Sequence, residues 1–403
     1  MTIGIASPIS TGAFGDYLNE ESRGVCATLS VDSAPAVTTL ARELLNLGHK
    51  QVTFTLDPKA KDEMMLEGDF LTIYVAPAQY QVRLIRPFQM LTGRNLRLIG
   101  RMFRFNQKKL DVLSVHWTRE YAIAAKWYVG EIPVFVTVRD IMPVIIKDVK
   151  HDWHIYNWWI VYLMNEYVMR SKGLNFIANS EYTANMVNKF WGHDVPVIAN
   201  PILDSYFDMG YCPEDEKNNI VLTTISSSSP DDPRKNILNL VKSFRKVRET
   251  NKNIVLNLIG PAFTENNCVL KKWADEGLMD GVRVHGPMKH DDVLKFLSHT
   301  HLMVHPSLEE TFGNTLIEAM AVGCPVLGGD KSGAVPYVLN HGKAGYLCDV
   351  TSVESMANAI GRIVNSPQER LRRSREAKDY CYRNFSSREI ANKYVQLFLS
   401  NVQ

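Results

Sequence analysis

The sequence predicts an α/β protein built from two doubly wound domains, and three observations support this prediction. Short apolar runs typical of buried strands alternate with amphipathic helical segments, as in residues 3–6, 36–47 and 52–56. The chain has 403 residues, which suits two domains of about 200 residues each. Polar residues follow several apolar runs directly, and parallel sheets bind their ligands beyond the carboxyl ends of such strands.

The composition is that of an ordinary globular protein. Hydrophobic residues make up 45% of the chain, and the 45 basic residues nearly balance the 43 acidic ones, so net charge alone predicts no nucleic-acid partner. The six cysteines are scattered without a C-x-x-C pair, which argues against a zinc site or a disulfide scaffold and favours a reducing cytosol. The first residues lack the features of a signal peptide, and no long apolar run predicts a spanning helix. We therefore expect a cytoplasmic protein.

The stretch 305–325 carries the densest local signal. It reads HPSLEETFGNTLIEAMAVGCP and follows a short apolar run that predicts the end of a strand. Thr311 is a good N-cap, and Gly323 and Pro325 stop a helix, so we predict a helix over 312–322. The start of a helix attracts a phosphate or another electron-rich oxygen. The backbone N–H groups predicted to face such a ligand are those of Phe312, Gly313, Asn314 and Thr315.

Two carboxylates flank the predicted helix start. Glu310 comes just before the helix, and Glu318 lies eight residues later, inside its second turn. Carboxylates accept hydrogen bonds from hydroxyl groups such as those of a ribose or a sugar. For this spacing alone, a capping loop with Glu318 in a solvated ion pair is the stronger interpretation. The residues around the two carboxylates reverse that preference.

The stretch 305–325 resembles the donor-site pattern of the retaining glycosyltransferases of family four. The resemblance implies the GT-B fold, in which two Rossmann-like domains face a central cleft. It also implies that a sugar moves from a nucleotide-diphosphate sugar to an acceptor hydroxyl, with retention at the anomeric carbon and with neither a metal nor a cofactor. The resemblance covers most of residues 1–390, and it is specific at 305–325, intermediate around 220–245 and 111–140, and weak elsewhere.

The resemblance implies roles for residues in both halves. Lys235 matches a lysine that contacts the donor diphosphate, and Arg234 stands beside it. Glu310 would orient the sugar, Glu318 would hold the ribose, and His116, at the end of a predicted strand, would touch the sugar from the other domain. The predicted catalytic residues are His116, Glu310 and Lys235. The predicted donor-binding residues are Arg234, Lys235, Glu310, Thr311, Phe312, Gly313, Asn314, Thr315 and Glu318.

Several positions depart from the family pattern. Residues 33–35 stand where many members have a glycine pair, Ser229 where many have an arginine, and Pro336 where many have a glutamate. Arg139 and Asp140 follow a strand where many members carry His-Asp. This arginine replaces a titratable group with a permanent cation, which either reads an anionic acceptor or a particular sugar, or pairs with Asp140. The candidate acceptor-side residues are Gly12, in a glycine-containing loop, Arg139 and Asp140.

Residues 83–109 are strongly basic and contain no aspartate or glutamate. The spacing from Arg94 onward predicts one basic helix face made of Arg94, Arg97, Arg101, Arg104 and Lys108. Such a face suits anionic lipid, at roughly 1 kcal/mol per basic residue near the surface. A solvated basic face over the core remains an alternative, and nothing else in the sequence supports nucleic acid. Because members of the family often use lipid-linked acceptors, we expect a glycan or lipid-linked acceptor and a peripheral location on the inner face of the plasma membrane.

The expected domain boundaries follow from composition and from the resemblance. Residues 1–201 form the acceptor-side domain, 202–218 a linker, and 219–386 the donor-binding domain, while the final helix over 387–403 is expected to pack back onto the first domain. His151 and His154 invite a metal site, but without a third ligand nearby a surface loop is the favoured interpretation.

Two other functions stay open at this point. One is a nucleotide-sugar epimerase of the same fold. The other is a non-catalytic assembly protein that binds sugar nucleotides, which the departures at Ser229, Arg139 and Pro336 allow. The presence of Glu310 and Glu318 argues against the non-catalytic alternative.

Overall fold

The structure is a computed structural model that describes residues 1–29, 34–78, 93–148, 155–213 and 219–402. The chain divides into two compact units, one made of Met1–Pro201 and Ser387–Gln403 and the other of Ile202–Ser386. Each is an α/β unit built on a mainly parallel sheet, which confirms the predicted fold class.

The first unit contains a seven-stranded sheet with the order β3-β4-β2-β1-β5-β6-β7. Its strands are Thr2–Ala6 (β1), Lys50–Asp57 (β2), Met64–Glu67 (β3), Leu71–Pro77 (β4), Val112–His116 (β5), Val134–Val138 (β6) and Asn175–Ala178 (β7). β3 pairs antiparallel with β4, and the other described pairs are parallel. The strand order reverses between β1 and β5, and in doubly wound sheets this is where ligands bind.

The described helices of the first unit connect and cover these strands. The α-helices are Glu20–Leu29, Pro35–Asn46, Arg94–Asn106, Glu120–Tyr128, Met142–Asp148, Ile155–Met169, Glu181–Trp191 and Ser387–Leu399. Two short 3₁₀ helices are Thr11–Tyr17 and Gln107–Lys109. Gly12, predicted in a loop, therefore lies in a 3₁₀ helix.

Apolar residues of the helices pack onto both faces of the first sheet. Phe103 of the helix Arg94–Asn106 meets Phe54 of β2 edge to face, with 5.0 Å between ring centroids. Phe398, from the end of the chain, lies 5.1 Å from Phe135 of β6, and both rings are buried. Burial of each such side chain contributes about 1.5–3 kcal/mol. The helix Ser387–Leu399 is thus part of the core of the first unit.

The second unit contains a six-stranded sheet with the order β10-β9-β8-β11-β12-β13, and all its described pairs are parallel. Its strands are Ile220–Ile225 (β8), Ile254–Ile259 (β9), Val282–Val284 (β10), Leu302–His305 (β11), Val326–Gly329 (β12) and Tyr346–Cys348 (β13). The strand order reverses between β8 and β11. The segments that follow these two strands carry Lys235 and Glu310, so the topology brings two distant parts of the sequence to one place.

The described helices of the second unit include seven α-helices and two 3₁₀ helices. The α-helices are Ile237–Thr250, Cys268–Asp275, His290–Ser298, Asn314–Val322, Val335–Val338, Val353–Val364 and Pro367–Phe385, and the 3₁₀ helices are Asp204–Asp208 and Asn340–Gly342. Phe244, Leu256 and Ile360 belong to one buried apolar cluster, which joins two helices to β9 of the sheet. The loops beyond the strand ends therefore rest on a packed scaffold.

The predicted linker is partly integrated into the second unit. The backbone N–H of Ile202 donates to Phe385 O at 2.8 Å, and the Tyr211 hydroxyl donates to Thr300 O at 3.0 Å. Residues 202–213 are therefore anchored in this unit, while 214–218 lie outside the described residues. Ser33, His151, His154 and the basic residues Arg83 and Arg86 also lie outside them. Across the described ranges, we find no helix with both the length and the apolar character needed to span a bilayer.

Candidate functional site

The second-unit site is the cluster of Lys235, His305 and Glu310. Lys235 Nζ lies 2.6 Å from Glu310 Oε1, although the two residues are 75 positions apart. Both side chains are largely buried, at 24% and 16% exposure. An ion pair that is partly buried but still reached by solvent is suited to bind a charged or polar molecule. The structure thus brings two of the three predicted catalytic residues into direct contact.

Asn236 holds the lysine turn against the loop of Glu310. Its side-chain amide donates to Pro306 O at 3.1 Å and to Val350 O at 2.8 Å. A second tie joins the same loops, because the Leu308 N–H donates to Arg234 O at 2.8 Å. Asn236 adopts a left-handed backbone conformation, with φ of 57°, which asparagine tolerates better than most residues. These bonds position Lys235 opposite Glu310.

His305 ends β11 and contacts the same carboxylate oxygen. Its Nε2 lies 3.2 Å from Glu310 Oε1, and because a carboxylate only accepts hydrogen bonds, Nε2 is the donor. Burial by itself raises the pKa of Glu310, but the hydrogen bond and charge of His305, followed by those of Lys235, outweigh it and hold this pKa well below its ordinary value. Glu310 is therefore an ionised hydrogen-bond acceptor, not an acid, at neutral pH.

The backbone of Glu310 is fixed by a close approach of Gly333. The Ala334 N–H donates to Glu310 O at 2.8 Å. Gly333 has φ of +60°, and a Cβ at this position would stand 2.2 Å from that carbonyl oxygen. Both facts require glycine here. The loop that contains Gly333 therefore fixes the backbone from which the Glu310 side chain extends.

The helix after Glu310 begins later than the sequence predicts. It spans Asn314–Val322 with Gly313 as its N-cap, so the predictions of Thr311 as the cap and of a helix from 312 are wrong. Phe312 is buried and packs edge to face on Phe385, with 5.7 Å between centroids. The chain enters the core at Phe312 and turns at Gly313, whose φ is 88°. Of the four predicted amides, only those of Asn314 and Thr315 lie in the helix.

Two other predicted donor residues have separate partners. Glu318 Oε1 lies 3.1 Å from His290 Nε2, and His290 Nδ1 in turn lies 3.1 Å from the Tyr206 hydroxyl. Arg234 Nη2 lies 3.2 Å from Asp232 Oδ2, within its own turn. The structure thus places Glu318 and Arg234 in the same unit as Lys235, but each in its own polar pair.

The first-unit site is the cluster of His116, Arg139 and Asn200. His116 ends β5, and Arg139 directly follows β6. Arg139 Nη2 lies 3.2 Å from His116 Nδ1, and Nη1 donates to Asn200 Oδ1. All three residues are buried. Burial, and after it the charge of Arg139, hold the pKa of His116 well below its ordinary value.

Asp140 does not pair with Arg139, so that alternative for the arginine is wrong. The Asp140 carboxylate accepts a hydrogen bond from Arg119 at 2.6 Å, with both side chains partly exposed. Arg139 instead lies in the interior, where burial lowers its pKa. The charge of Asp140 raises the pKa of Arg139, but burial outweighs this effect.

A cavity of about 460 Å³ adjoins the first-unit site. Its walls are mainly apolar and aromatic, and they include His116, Trp117, Arg119 and Tyr121. Trp117 has φ of +67°, an uncommon conformation for a bulky residue. The Arg139 guanidinium lies 5.5 Å from the Trp117 ring centroid. Gly12, the remaining predicted acceptor-side residue, is exposed in its 3₁₀ helix.

Several residues of the two sites were not predicted from the sequence as site residues. His305 stands at a strand end like His116, so the same rule would have found it. Asn236, Trp117 and Asn200 carry no comparable local signal, because their importance depends on distant partners. Histidine, cysteine, aspartate and glutamate side chains of the described residues form no group of three that could hold a metal ion.

The architecture matches solved glycosyltransferase structures over almost the whole chain. Sucrose-phosphate synthase from Thermosynechococcus elongatus has a TM-score of 0.74 at 16% identity, with 99% of this chain and 98% of that chain covered. Anabaena HepE in complex with UDP-glucose has a TM-score of 0.68 at 16% identity, with 99% and 100% covered. The fold is therefore the GT-B fold of glycosyltransferases, as expected from the sequence.

The sequence itself identifies the family. A model described as Glycosyltransferase Family 4 matches residues 35–204, and one described as Glycosyl transferases group 1 matches residues 214–380. Together the two matches span most of the chain. The chain belongs to the group 1 glycosyltransferases of family four, which confirms the resemblance found at 305–325.

Relatives within this family act on different molecules. N-acetyl-alpha-D-glucosaminyl L-malate synthase from Bacillus anthracis is 30% identical over 41% of this chain and 42% of its own length. The capsular polysaccharide biosynthesis glycosyltransferase CapM from Staphylococcus aureus is 24% identical over 67% of this chain and 73% of its own. The lipopolysaccharide 1,2-N-acetylglucosaminetransferase from Salmonella typhimurium is 27% identical over 53% and 60%. The match to the first of these relatives thus spans less than half of that protein.

Proposed function

We propose that this protein transfers a sugar from a nucleotide-diphosphate sugar to an acceptor hydroxyl, with retention at the anomeric carbon and without a metal. The observation that carries the proposal is the contact of Lys235 with Glu310 at the strand-order reversal of the second sheet. Membership of the glycosyltransferase family supports it, as do the similar structures of Anabaena HepE in complex with UDP and with UDP-glucose.

Each residue of the second-unit site has a distinct task in the proposed reaction. The ammonium group of Lys235 neutralises charge that develops on the departing diphosphate. The positive end of the helix Asn314–Val322 acts in the same direction. Glu310 accepts a hydrogen bond from a sugar hydroxyl, since both Lys235 and His305 contact Oε1 and leave Oε2 for a further partner. Glu318 is proposed to hold the ribose.

The proposed chemistry uses no protein nucleophile. Glu310 is held by His305 and Lys235 with a strongly lowered pKa, which makes it a poor nucleophile. We therefore favour attack by the acceptor oxygen from the face that the diphosphate leaves. The bond from the anomeric carbon to the diphosphate oxygen breaks, the bond to the acceptor oxygen forms, and the proton of the acceptor passes to the departing phosphate.

The first test is donor binding measured by thermal shift. Nucleoside diphosphates and their sugars are screened, because a ligand that binds only the folded state raises the melting temperature. Lys235→Met is expected to abolish the shift. Lys246→Met is the matched control, since Lys246 forms an exposed ion pair with Glu354 in the same unit. The proposal fails if no nucleotide stabilises the wild type, or if both variants respond alike.

The second test separates transfer from the other functions open to this fold. Incubation with the stabilising donor and a panel of acceptors is followed by NMR of the product, and a glycoside with retained anomeric configuration is expected in the presence of EDTA. Conversion of the donor without an acceptor would instead indicate an epimerase. Binding without turnover would indicate a non-catalytic assembly protein.

We also propose that the acceptor is a glycan or a lipid-linked molecule at an anionic membrane surface, as in surface polysaccharide or glycolipid assembly. The names of the capsular and lipopolysaccharide relatives support this class. The helix Arg94–Asn106 presents exposed arginines while Leu98, Ile99 and Phe103 are buried against the core. Its exposed side also carries Phe105, which is 77% exposed. An exposed aromatic ring among basic groups suits a lipid interface.

Liposome co-sedimentation tests the membrane proposal. Phosphatidylglycerol vesicles are expected to bind the protein and phosphatidylcholine vesicles not to bind it. Replacement of Arg97, Arg101 and Arg104 by glutamine should weaken binding by about 100-fold, at roughly 1 kcal/mol per charge. A variant with the same charge change in the other unit, at the exposed Arg372, Arg375 and Arg383, is the control. Equal loss in the two variants would rule out the proposed surface.

A further inference from the structure

We propose that Arg139 is a positioning residue that holds His116 in the Nε2–H tautomer, so that the imidazole is a neutral hydrogen-bond donor to an oxygen atom of a saccharide. The tautomer follows from the geometry of the first-unit site. The identity of its partner, a sugar hydroxyl or ring oxygen, rests on the proposed function.

The hydrogen bond between the two side chains determines which nitrogen carries the proton. Arg139 Nη2 lies 3.2 Å from His116 Nδ1. A guanidinium group has only donors, so Nδ1 must be the acceptor and cannot carry a proton. The proton of a neutral imidazole is then on Nε2. A second proton on Nδ1 would face the guanidinium at the same distance, which disfavours the cation.

Arg139 cannot easily turn away from His116. Its other nitrogen, Nη1, donates to Asn200 Oδ1, and its guanidinium lies 5.5 Å from the Trp117 ring centroid. The side chain is buried. Asn200 therefore acts as a fixed acceptor on one side of the arginine, while the imidazole is the acceptor on the other side. A lysine would offer a single nitrogen and could not span both partners in this planar arrangement.

The other ionisable groups around His116 leave this assignment unchanged. Tyr394, from the helix Ser387–Leu399, lies 6.4 Å from the imidazole centroid and exchanges a hydrogen bond with Thr137 at 3.0 Å. The carboxylate of Asp140 is paired with Arg119. Glu120 and Tyr121 line the same cavity as His116. Burial and the charge of Arg139 lower the pKa of His116, in agreement with a neutral ring.

The Nε2 atom of His116 is free to donate a hydrogen bond to a ligand. It is buried and has no hydrogen-bond partner among the residues that the structure describes. His116 also lines the 460 Å³ cavity, together with Trp117 and Tyr121. A buried N–H without a partner costs free energy, and a functional role is one of the reasons for which native proteins retain such a group. A saccharide fits such a cavity, because its oxygen atoms can accept from Nε2–H and its apolar face can pack on the Trp117 and Tyr121 rings.

The tautomer can be observed directly in the wild-type protein. Long-range ¹H–¹⁵N correlation spectra of the imidazole rings, with His116 assigned from its loss in His116→Gln, are expected to show a protonated Nε2 and an unprotonated Nδ1 from pH 6 to 8. A protonated Nδ1 or a doubly protonated ring in this range would overturn the proposal. This measurement requires neither a substrate nor a folded arginine variant.

Variants then test the role of Arg139. In Arg139→Met, His116 is expected to sample both tautomers, and its pKa is expected to rise but to stay below its ordinary value, because burial, the larger cause of the lowering, remains. Arg119→Met is the matched control, because Arg119 lines the same cavity but pairs with Asp140, and its His116 spectrum should match the wild type. An unchanged His116 spectrum in Arg139→Met would overturn the positioning role.

Kinetics with the sugar donor and acceptor test the donor role of Nε2. A glutamine side chain brings its N–H₂ group near the position of Nε2, whereas asparagine reaches only the position of Nδ1. His116→Gln is therefore expected to keep about tenfold more kcat/KM than His116→Asn, the difference made by one hydrogen bond. Equal activity of the two variants would refute the saccharide contact. Failure of sugar transfer in the wild type would refute the proposed function and leave the spectra as an independent test of the tautomer.

Discussion

Each of the two units ends a central strand with a buried histidine, and the two histidines face opposite charges. His116 ends β5 beside the guanidinium of Arg139, whereas His305 ends β11 beside the carboxylate of Glu310. Both rings are at most 5% exposed. In both rings Nε2 carries the proton, and the charged neighbour decides whether this N–H is used inside the protein. At His305 the Nε2–H is used to hold a protein carboxylate, while at His116 the Nε2–H has no protein partner among the described residues.

This comparison shows that the same position in a doubly wound unit is used in two ways. In the second unit the histidine contacts a charged residue, and the proposed binding groups are Glu310 and Lys235. In the first unit the charged residue contacts the histidine, and the proposed binding group is the imidazole. The two histidines occupy similar positions at strand ends. The charge beside each one, a cation in the first unit and a carboxylate in the second, decides which group is proposed to meet the ligand.

The largest expected effect is the loss of the Glu310 charge. In Glu310→Gln, kcat should fall by about 10²–10³-fold, since the variant loses an ionised acceptor aimed at the sugar. KM for the donor should change little, because Lys235 is still present and has lost its competing partner. Steady-state kinetics with the preferred donor measure both constants. Glu354→Gln, at an exposed ion pair of the same unit, should behave like the wild type, and a full-rate Glu310→Gln enzyme would contradict the assigned role.

The next largest effect concerns the support of Glu310. Gly333→Ala should lower the free energy of unfolding by about 1–3 kcal/mol, because the residue has φ of +60° and its Cβ would meet the Glu310 carbonyl. Gly361→Ala is the matched control. Gly361 lies within a helix, and a Cβ there meets nothing within 4 Å. It should stabilise the protein by about 0.5–1 kcal/mol. Urea unfolding measures both, and equal effects of the two substitutions would disprove the close-approach argument.

A smaller effect is expected on the His116 side. Tyr394→Phe removes the hydroxyl that bonds Thr137 beneath the first-unit site, at 3.0 Å. We expect a loss of about 1 kcal/mol in the free energy of unfolding. Tyr382→Phe, at a ring that is 53% exposed, should change it by less than about 0.5 kcal/mol. If thermal unfolding does not distinguish the two variants, the terminal helix does not support the site in this way.

Two pH dependences of stability, one for each unit, are expected only outside the neutral range. The pKa of His116 is lowered in the folded state, so the unfolded chain takes up this proton first, and stability falls as pH drops below about 6.5. The pKa of Glu310 is also lowered, so its contribution is present above its unfolded value and is lost as pH falls below about 4.5.

Unfolding curves between pH 3 and 8 separate these two contributions. His116→Gln should flatten the curve between pH 7 and 5, and Glu310→Gln should flatten it only below about pH 4.5, each by at most about 1.4 kcal/mol per pH unit. Superimposable profiles for the wild type and both variants would show that neither group is linked to folding.

The fold, and the position of Lys235 and Glu310 in the segments after two strands, could be predicted because their signals are local. The alternation of short strands and helices depends on the hydrophobic period and on turn residues, and both can be read from a short stretch of sequence. The stretch 305–325 identified the family in the same way. The start of its helix could not be predicted, because Phe312 packs in the core against the ring of Phe385, which is distant in sequence. The partners of Arg139 could not be predicted either. Asp140 is adjacent to it in sequence, but its actual partners, Asn200 and His116, are not.

The sequence by itself determined the class of fold, the family and the identity of the groups that stand at the strand ends. Only the tertiary structure decided which of these groups touch, as in the contact of Lys235 with Glu310 across 75 residues. Strand and helix formation depend on neighbours a few residues away, whereas the pairing of charges and the choice of a tautomer depend on which strands lie side by side in the sheet and on how deeply their ends are buried.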